Sequence, residues 1–167
     1  MGGNSTLEEF EKNLPTFRFT VLRHELPLPS QRECHWDLLL EPSDNSPDDA
    51  RRPAHSTNFD SAAGLLTFEA PRPPEEWANK KFGVKRLPDH RPLYLNYDGP
   101  ISGDRGHVTR VQSGLIQWKV LQEDLLMLSI RQTWPKETEP IGLLTIAKLT
   151  GNPENNWELE WKVVTGV

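Results

Sequence analysis

Apolar and polar residues alternate with a period of two through most of this chain. That is the repeat of a strand whose successive side chains point to opposite faces of a sheet. From residue 17, Phe17, Phe19, Val21 and Arg23 alternate with Arg18, Thr20, Leu22 and His24. Over 34–41, His35, Asp37, Leu39 and Glu41 share one face, and Trp36, Leu38 and Leu40 share the other. The same pattern predicts strands over 64–70, 92–97, 106–112, 115–121, 125–133, 141–149 and 157–164. In the last of these, Trp157, Leu159, Trp161 and Val163 oppose Glu158, Glu160 and Lys162. Many short strands separated by turn residues favour a mainly β fold closed as a barrel or a sandwich. The expectation is a compact closed barrel of mostly antiparallel strands with long loops, because closure removes exposed strand edges.

The strand pattern sets the organisation of the chain. Residues 1–15 form a polar lead with a helical turn around 7–14, and 16–167 form one domain. Within it, 42–63 is a polar loop insertion rich in Pro, Ser, Asp and Asn. Residues 71–77 carry three prolines, which excludes a central strand there. The 167 residues, with six Trp and six Phe, suffice to bury a core without covalent staples. No run approaches the roughly 20 apolar residues of a membrane span, and the start lacks the regions of a secretory signal. Cys34 is the single cysteine, so no internal disulfide forms and a cytoplasmic location is expected. A net charge of -5 argues against nonspecific coating of nucleic acid and leaves room for a local basic cleft.

Three segments carry candidate chemistry. On the 34–41 strand, the imidazole of His35 and the carboxylate of Asp37 project from one face. They can share a metal ion, or Asp37 can orient His35. Burying such a carboxylate on the inner face of a barrel without a cation or hydrogen-bond partners costs roughly several kcal/mol; the alternative is a half-exposed edge strand with a solvated pair. The second segment runs from Leu87 to Tyr94, with Lys80, Lys81, Lys85 and Arg86 leading into it. There His90, Arg91 and Tyr94 offer an imidazole, a guanidinium fork and a phenol to an anionic ligand; the alternative is a solvated basic loop. The third, Asp98 to His107, contains Gly99, Gly103 and Gly106, which suit tight turns or a close backbone approach. No nucleotide-binding glycine fingerprint surrounds them. His24 and His55 are marked by no spacing.

Read in order, these segments resemble a known family. The pattern runs Phe19 to His24, His35-Trp36-Asp37-Leu38-Leu39-Leu40-Glu41, and Leu65 to Arg72. It continues through Asp89-His90, Tyr94, Tyr97-Asp98-Gly99 and Gly103 to Val108, and ends with Leu144 to Gly151 and Trp157 to Val163. Over most of its length the chain resembles the N-terminal 3′-phosphoesterase domain of the DNA ligase D family, as a freestanding member. The resemblance implies a β-barrel with a divalent metal, typically manganese, that removes a 3′-phosphate or 3′-ribonucleoside from DNA or DNA-RNA ends during repair. It implies His35 and His90 as metal ligands, with the carboxylate ligand open among Asp37, Asp44 and Asp60. It also implies a phosphate-binding cation at Arg72 and an active-site Tyr94; Arg91 and Lys85, read from the basic stretch itself, are further candidate phosphate contacts. Leu39 stands where the family carries an arginine. The partners implied are nucleic-acid 3′ ends and a repair ligase or polymerase acting in trans, with no membrane. The alternative is a catalytically degenerate barrel that binds phosphate, nucleic-acid ends or a protein partner.

Overall fold

A computed structural model describes residues 13–27, 34–43, 64–135, 142–151 and 156–163. Asp44, Asp60, His55 and most of the expected 42–63 insertion lie outside the described residues, as does most of the 1–15 lead. Among the described residues, nine strands form one antiparallel sheet: β1 Phe17–Glu25, β2 His35–Leu40, β3 Leu65–Ala70, β4 Lys80–His90, β5 Gly99–Pro100, β6 His107–Leu121, β7 Leu125–Trp134, β8 Gly142–Lys148 and β9 Asn156–Val163. They pair in the order β1-β2-β3-β4-β9-β8-β7-β6-β5, and an additional β1–β6 pairing brings the two ends of the row together. The result is a near-closed ring with the short β5 hung outside β6, so the mainly β expectation holds. No helix among the described residues is long and apolar enough to cross a membrane.

One parity of the alternation fills the ring. Leu38, Leu40, Phe68, Ile116, Leu128, Leu144, Ile146 and Leu159 are buried in one cluster to which β1–β4 and β6–β9 all contribute. Each such side chain contributes about 1.5–3 kcal/mol by leaving water. The opposite parity of β1, β2 and β3 is buried as well. Leu22, Leu39 and Leu65 pack with Val108 and Leu95 in a second cluster on the outer face. The cover there is the arm that follows β4, whose Tyr94, Tyr97 and Ile101 lie against this cluster.

The elements differ from expectation in three places. Residues 92–97 are not a strand: Pro92–Asn96 is a 3-10 helix that starts on proline, whose fixed φ and missing N–H suit a first helical position. The expected 106–112 and 115–121 strands are one long β6, and Gly114 marks no turn. A Cβ there would stand 1.8 Å from the Gln132 carbonyl oxygen, so the glycine admits the neighbouring strand. Lastly, the basic stretch 80–90 is a strand, β4, between β3 and β9. Its Pro88 is tolerated because Leu65 and Thr67 pair with His90 and Leu87, leaving one extra residue on β4. Such a bulge removes the ladder donor that proline lacks and re-aims the side chains beside it.

Candidate functional site

The outer face of β1 and β2 brings three ligand-bearing side chains together. In the antiparallel register His24 lies opposite His35, and Leu22 opposite Asp37. Paired residues project to the same side of a sheet, so both imidazoles and the carboxylate emerge side by side. His24 Nδ1 stands 3.5 Å from Asp37 Oδ2, and His35 Nε2 stands 3.4 Å from Asp37 Oδ1. The two imidazole rings meet edge to face with centroids 4.7 Å apart. His35 and Asp37 are buried, which is the costly arrangement that drew notice in the sequence.

The hydrogen bonding around this group fixes what it can hold. His24 Nε2 lies 2.8 Å from the Arg105 carbonyl oxygen. A carbonyl only accepts, so Nε2 carries the proton. In the neutral ring Nδ1 then turns a lone pair toward a carboxylate oxygen, and a proton or a cation must lie between them. His35 Nδ1 and Asp37 Oδ1 are buried with no hydrogen-bond partner. Burial alone pushes the Asp37 carboxyl upward; the imidazoles of His24 and His35, and the charges of His35 and His90, more than reverse this and hold it at about 2. Asp37 is therefore an anion at any physiological pH, the state in which a carboxylate binds metal.

These donors fit a divalent ion. Two atoms bound to one ion at ~2.1 Å with tetrahedral angles stand ~3.4 Å apart, close to the two N···O separations here and longer than a good hydrogen bond. Two imidazoles and one carboxylate leave coordination positions open, as in a catalytic rather than a closed structural site, and this donor set suits zinc, iron and manganese alike. His24, His35 and Asp37 would be its ligands, all three offering atoms within 4.8 Å of one another. Among the expected alternatives, Asp37 is the carboxylate within this group, while Asp44 and Asp60 fall outside the described residues.

His90 lines the same cavity, of about 420 Å³, together with Arg91, Tyr94 and Arg105. It is the last residue of β4, placed by the Pro88 bulge. Arg86 braces this turn by donating to the Thr67 and Leu87 carbonyls and pairing with Asp89 at 2.5 Å. Gly64 admits the approach, since a Cβ there would lie 2.7 Å from Asp89 Cβ. His90 Nδ1 is 2.9 Å from the Pro88 carbonyl oxygen and so donates to it, leaving Nε2 to meet a ligand. Tyr94 stacks edge-on against His90 at 5.7 Å between centroids.

The structure thus gathers His35, Asp37, His90, Arg91 and Tyr94 around one space. It does not bring Arg72 there: that exposed side chain follows the turn at Pro71, and its guanidinium lies over the Phe82 ring at 5.9 Å. Lys85 lines a neighbouring cleft of about 320 Å³, which shares Glu69 with the first. Leu39 is sealed in the outer apolar cluster and offers the cavity no polar group. Cys34 is free and half-buried, with its sulfur accepting from Arg23 Nε at 3.4 Å.

Sequence reasoning passed over two residues. His24 completes the ion-binding group, and its signal was its place on the same face as Leu22, next to a strand bearing His35 and Asp37. Arg105 reaches the cavity from the glycine-rich arm and orients His24 through its carbonyl. Gly106, just after it, has φ +97, and a Cβ would meet the Glu25 carbonyl oxygen at 1.9 Å. That contact is the close backbone approach the glycines suggested. Compared with known families and with curated proteins, the sequence matches no family model and no curated protein at a significant level.

Proposed function

We propose that this protein is a metal-dependent phosphoesterase, resembling the DNA ligase D 3′-end-processing domain, that removes a 3′-phosphate or 3′-ribonucleoside from nucleic-acid ends. The observation that carries this reading is the opening of a three-donor ion site into a cavity that also presents His90, Arg91, Arg105 and Tyr94. A bound divalent ion would supply Lewis acidity toward a phosphoryl oxygen and a water of lowered pKa.

The chain's own groups supply the rest. Arg91 and Arg105 line the cavity and would supply the positive charge that pairs with the non-bridging oxygens of a phosphate. The Arg105 guanidinium is braced against its own turn by bonds from Nε to the Ser102 carbonyl at 2.7 Å and from a terminal nitrogen to Ser102 Oγ at 3.3 Å, which leaves its other terminal nitrogen for a phosphate. His90, with Nδ1 committed to Pro88, turns Nε2 to the phosphate and holds or delivers a proton at the leaving oxygen. The Tyr94 hydroxyl donates to the same group. Leu22, Ile101 and Val108 form an apolar wall that limits water and strengthens each of these interactions. In the cell the reading places this chain at broken strands, ahead of a ligase or polymerase acting in trans.

The test is product release from labelled oligonucleotides ending in a 3′-phosphate or a single 3′-ribonucleotide. Chelation should abolish release, and manganese added back should restore it. Ion binding without product from either substrate would make the barrel a non-catalytic binder of phosphate or nucleic-acid ends.

A further inference from the structure

The outer face carries an ordered row of side chains across five adjacent strands. Arg110 of β6 pairs with Leu22 of β1, Leu22 with Asp37 of β2, Asp37 with Glu69 of β3, and Glu69 with Lys85 of β4. The ion site lies at the middle of the row and a cation stands at each end. One strand beyond Arg110, on β7, Trp134 pairs with Ser113 and is 53% exposed, the most exposed of the large apolar side chains among the described residues. The Arg110 guanidinium sits 5.4 Å from its ring centroid. Arg110 is itself tied to the arm over the cavity, with its amide donating to Asp98 and a guanidinium nitrogen to Asn96.

We infer that Trp134 and Arg110 form a stacking platform for the single-stranded tail that leads to the 3′ end in the cavity. This rests on the end-processing reading and adds the form of its substrate. An exposed indole offers a flat face to any base, and base–aromatic stacking is tolerant of sequence. The guanidinium against the ring stiffens it through a cation–π contact and adds positive charge beside the phosphates. Lys85, at the far end, borders a cleft that holds no such exposed ring, so the strand leaves toward β7. Trp134 lies three strand steps from Asp37, ~14 Å at ~4.8 Å each, and, sharing a row with Leu39, two residues further along, ~7 Å, so the two stand ~16 Å apart over the sheet. A stacked strand advancing ~3.4 Å per nucleotide covers that in about five nucleotides.

The experiment compares the native protein with Trp134→Ala and Trp134→Phe. Binding of a fluorescent single strand longer than about five nucleotides is read by anisotropy, and turnover is compared between that strand and a dinucleotide, each with a 3′-phosphate. The alanine variant should bind the long strand roughly tenfold more weakly. Its preference for the long strand over the dinucleotide should fall by a similar factor, and phenylalanine should restore most of both. Unchanged affinity in Trp134→Ala, or equal losses on the two substrates, would overturn the platform and leave Trp134 to packing or to a protein partner. If the native protein cleaves neither substrate, the end-processing reading fails, while the anisotropy comparison still decides the platform.

Discussion

On the proposed function, the native protein turns over substrate with manganese and melts higher with the ion bound, and replacing Asp37 by alanine is expected to remove both effects. Asp37 is the one anionic member of the cluster, and both imidazoles face its oxygens at 3.4 and 3.5 Å. Without it two neutral rings remain, and the ion loses the charge that offsets its dehydration. Altering a group that merely supports a metal ligand costs 10–100-fold in affinity, so losing the ligand itself should cost at least about 100-fold. At a metal concentration a hundred times the native Kd, binding stabilises the fold by about 2.7 kcal/mol, and that increment should vanish. The metal-free variant should still fold, because Asp37 projects from the outer face while Leu38 and Leu40 fill the ring from the other. Circular dichroism and thermal melts with and without manganese check each part. Retention of both turnover and the metal-induced shift would remove Asp37 from the site.

His90→Ala should separate chemistry from ion binding. His90 shares the cavity, yet the tight group of ligand atoms comprises His24, His35 and Asp37. The variant should keep the manganese-induced stabilisation and lose about 10²–10⁴-fold in turnover, the range for removing a positioned proton donor. Loss of the ion together with turnover would return His90 to the ligand role that the sequence resemblance implied. In that event, His24 would be the group that supports rather than binds.

The β architecture was legible because alternation persists in β1, β2, β8 and β9, where one parity packs into the ring. The same signal could not say which face of β2 is inner. All but one of its residues are buried, since the arm covers the outside as the core fills the inside. His35 and Asp37 do share a face, as expected, but it is the outer one beneath the arm and not the inner face of the barrel. The arm itself was misread at Pro92-Leu93-Tyr94-Leu95, where apolar spacing imitates a strand but proline at the first position starts a 3-10 turn. β4 was hidden because charges fall on both of its faces: Lys81 and Lys85 on the outer one, and Lys80 and Arg86 on the inner one, where only Val84 and the half-buried Phe82 are apolar. His24 escaped because pairing register, not spacing, sets it opposite His35. No feature of a single strand encodes register across a connection of unspecified shape. Arg105 escaped for a related reason: its carbonyl reaches His24 through a backbone path that only Gly103 and Gly106, both at positive φ, allow.

The most direct measurement is calorimetric titration of manganese into the metal-stripped native protein and into His24→Ala, the ligand that only the fold brings into place. One ion should bind per native chain, and the variant should bind at least about 100-fold more weakly. Manganese bound equally well without the His24 imidazole, or not bound by the native chain at all, would contradict a site built on His24, His35 and Asp37.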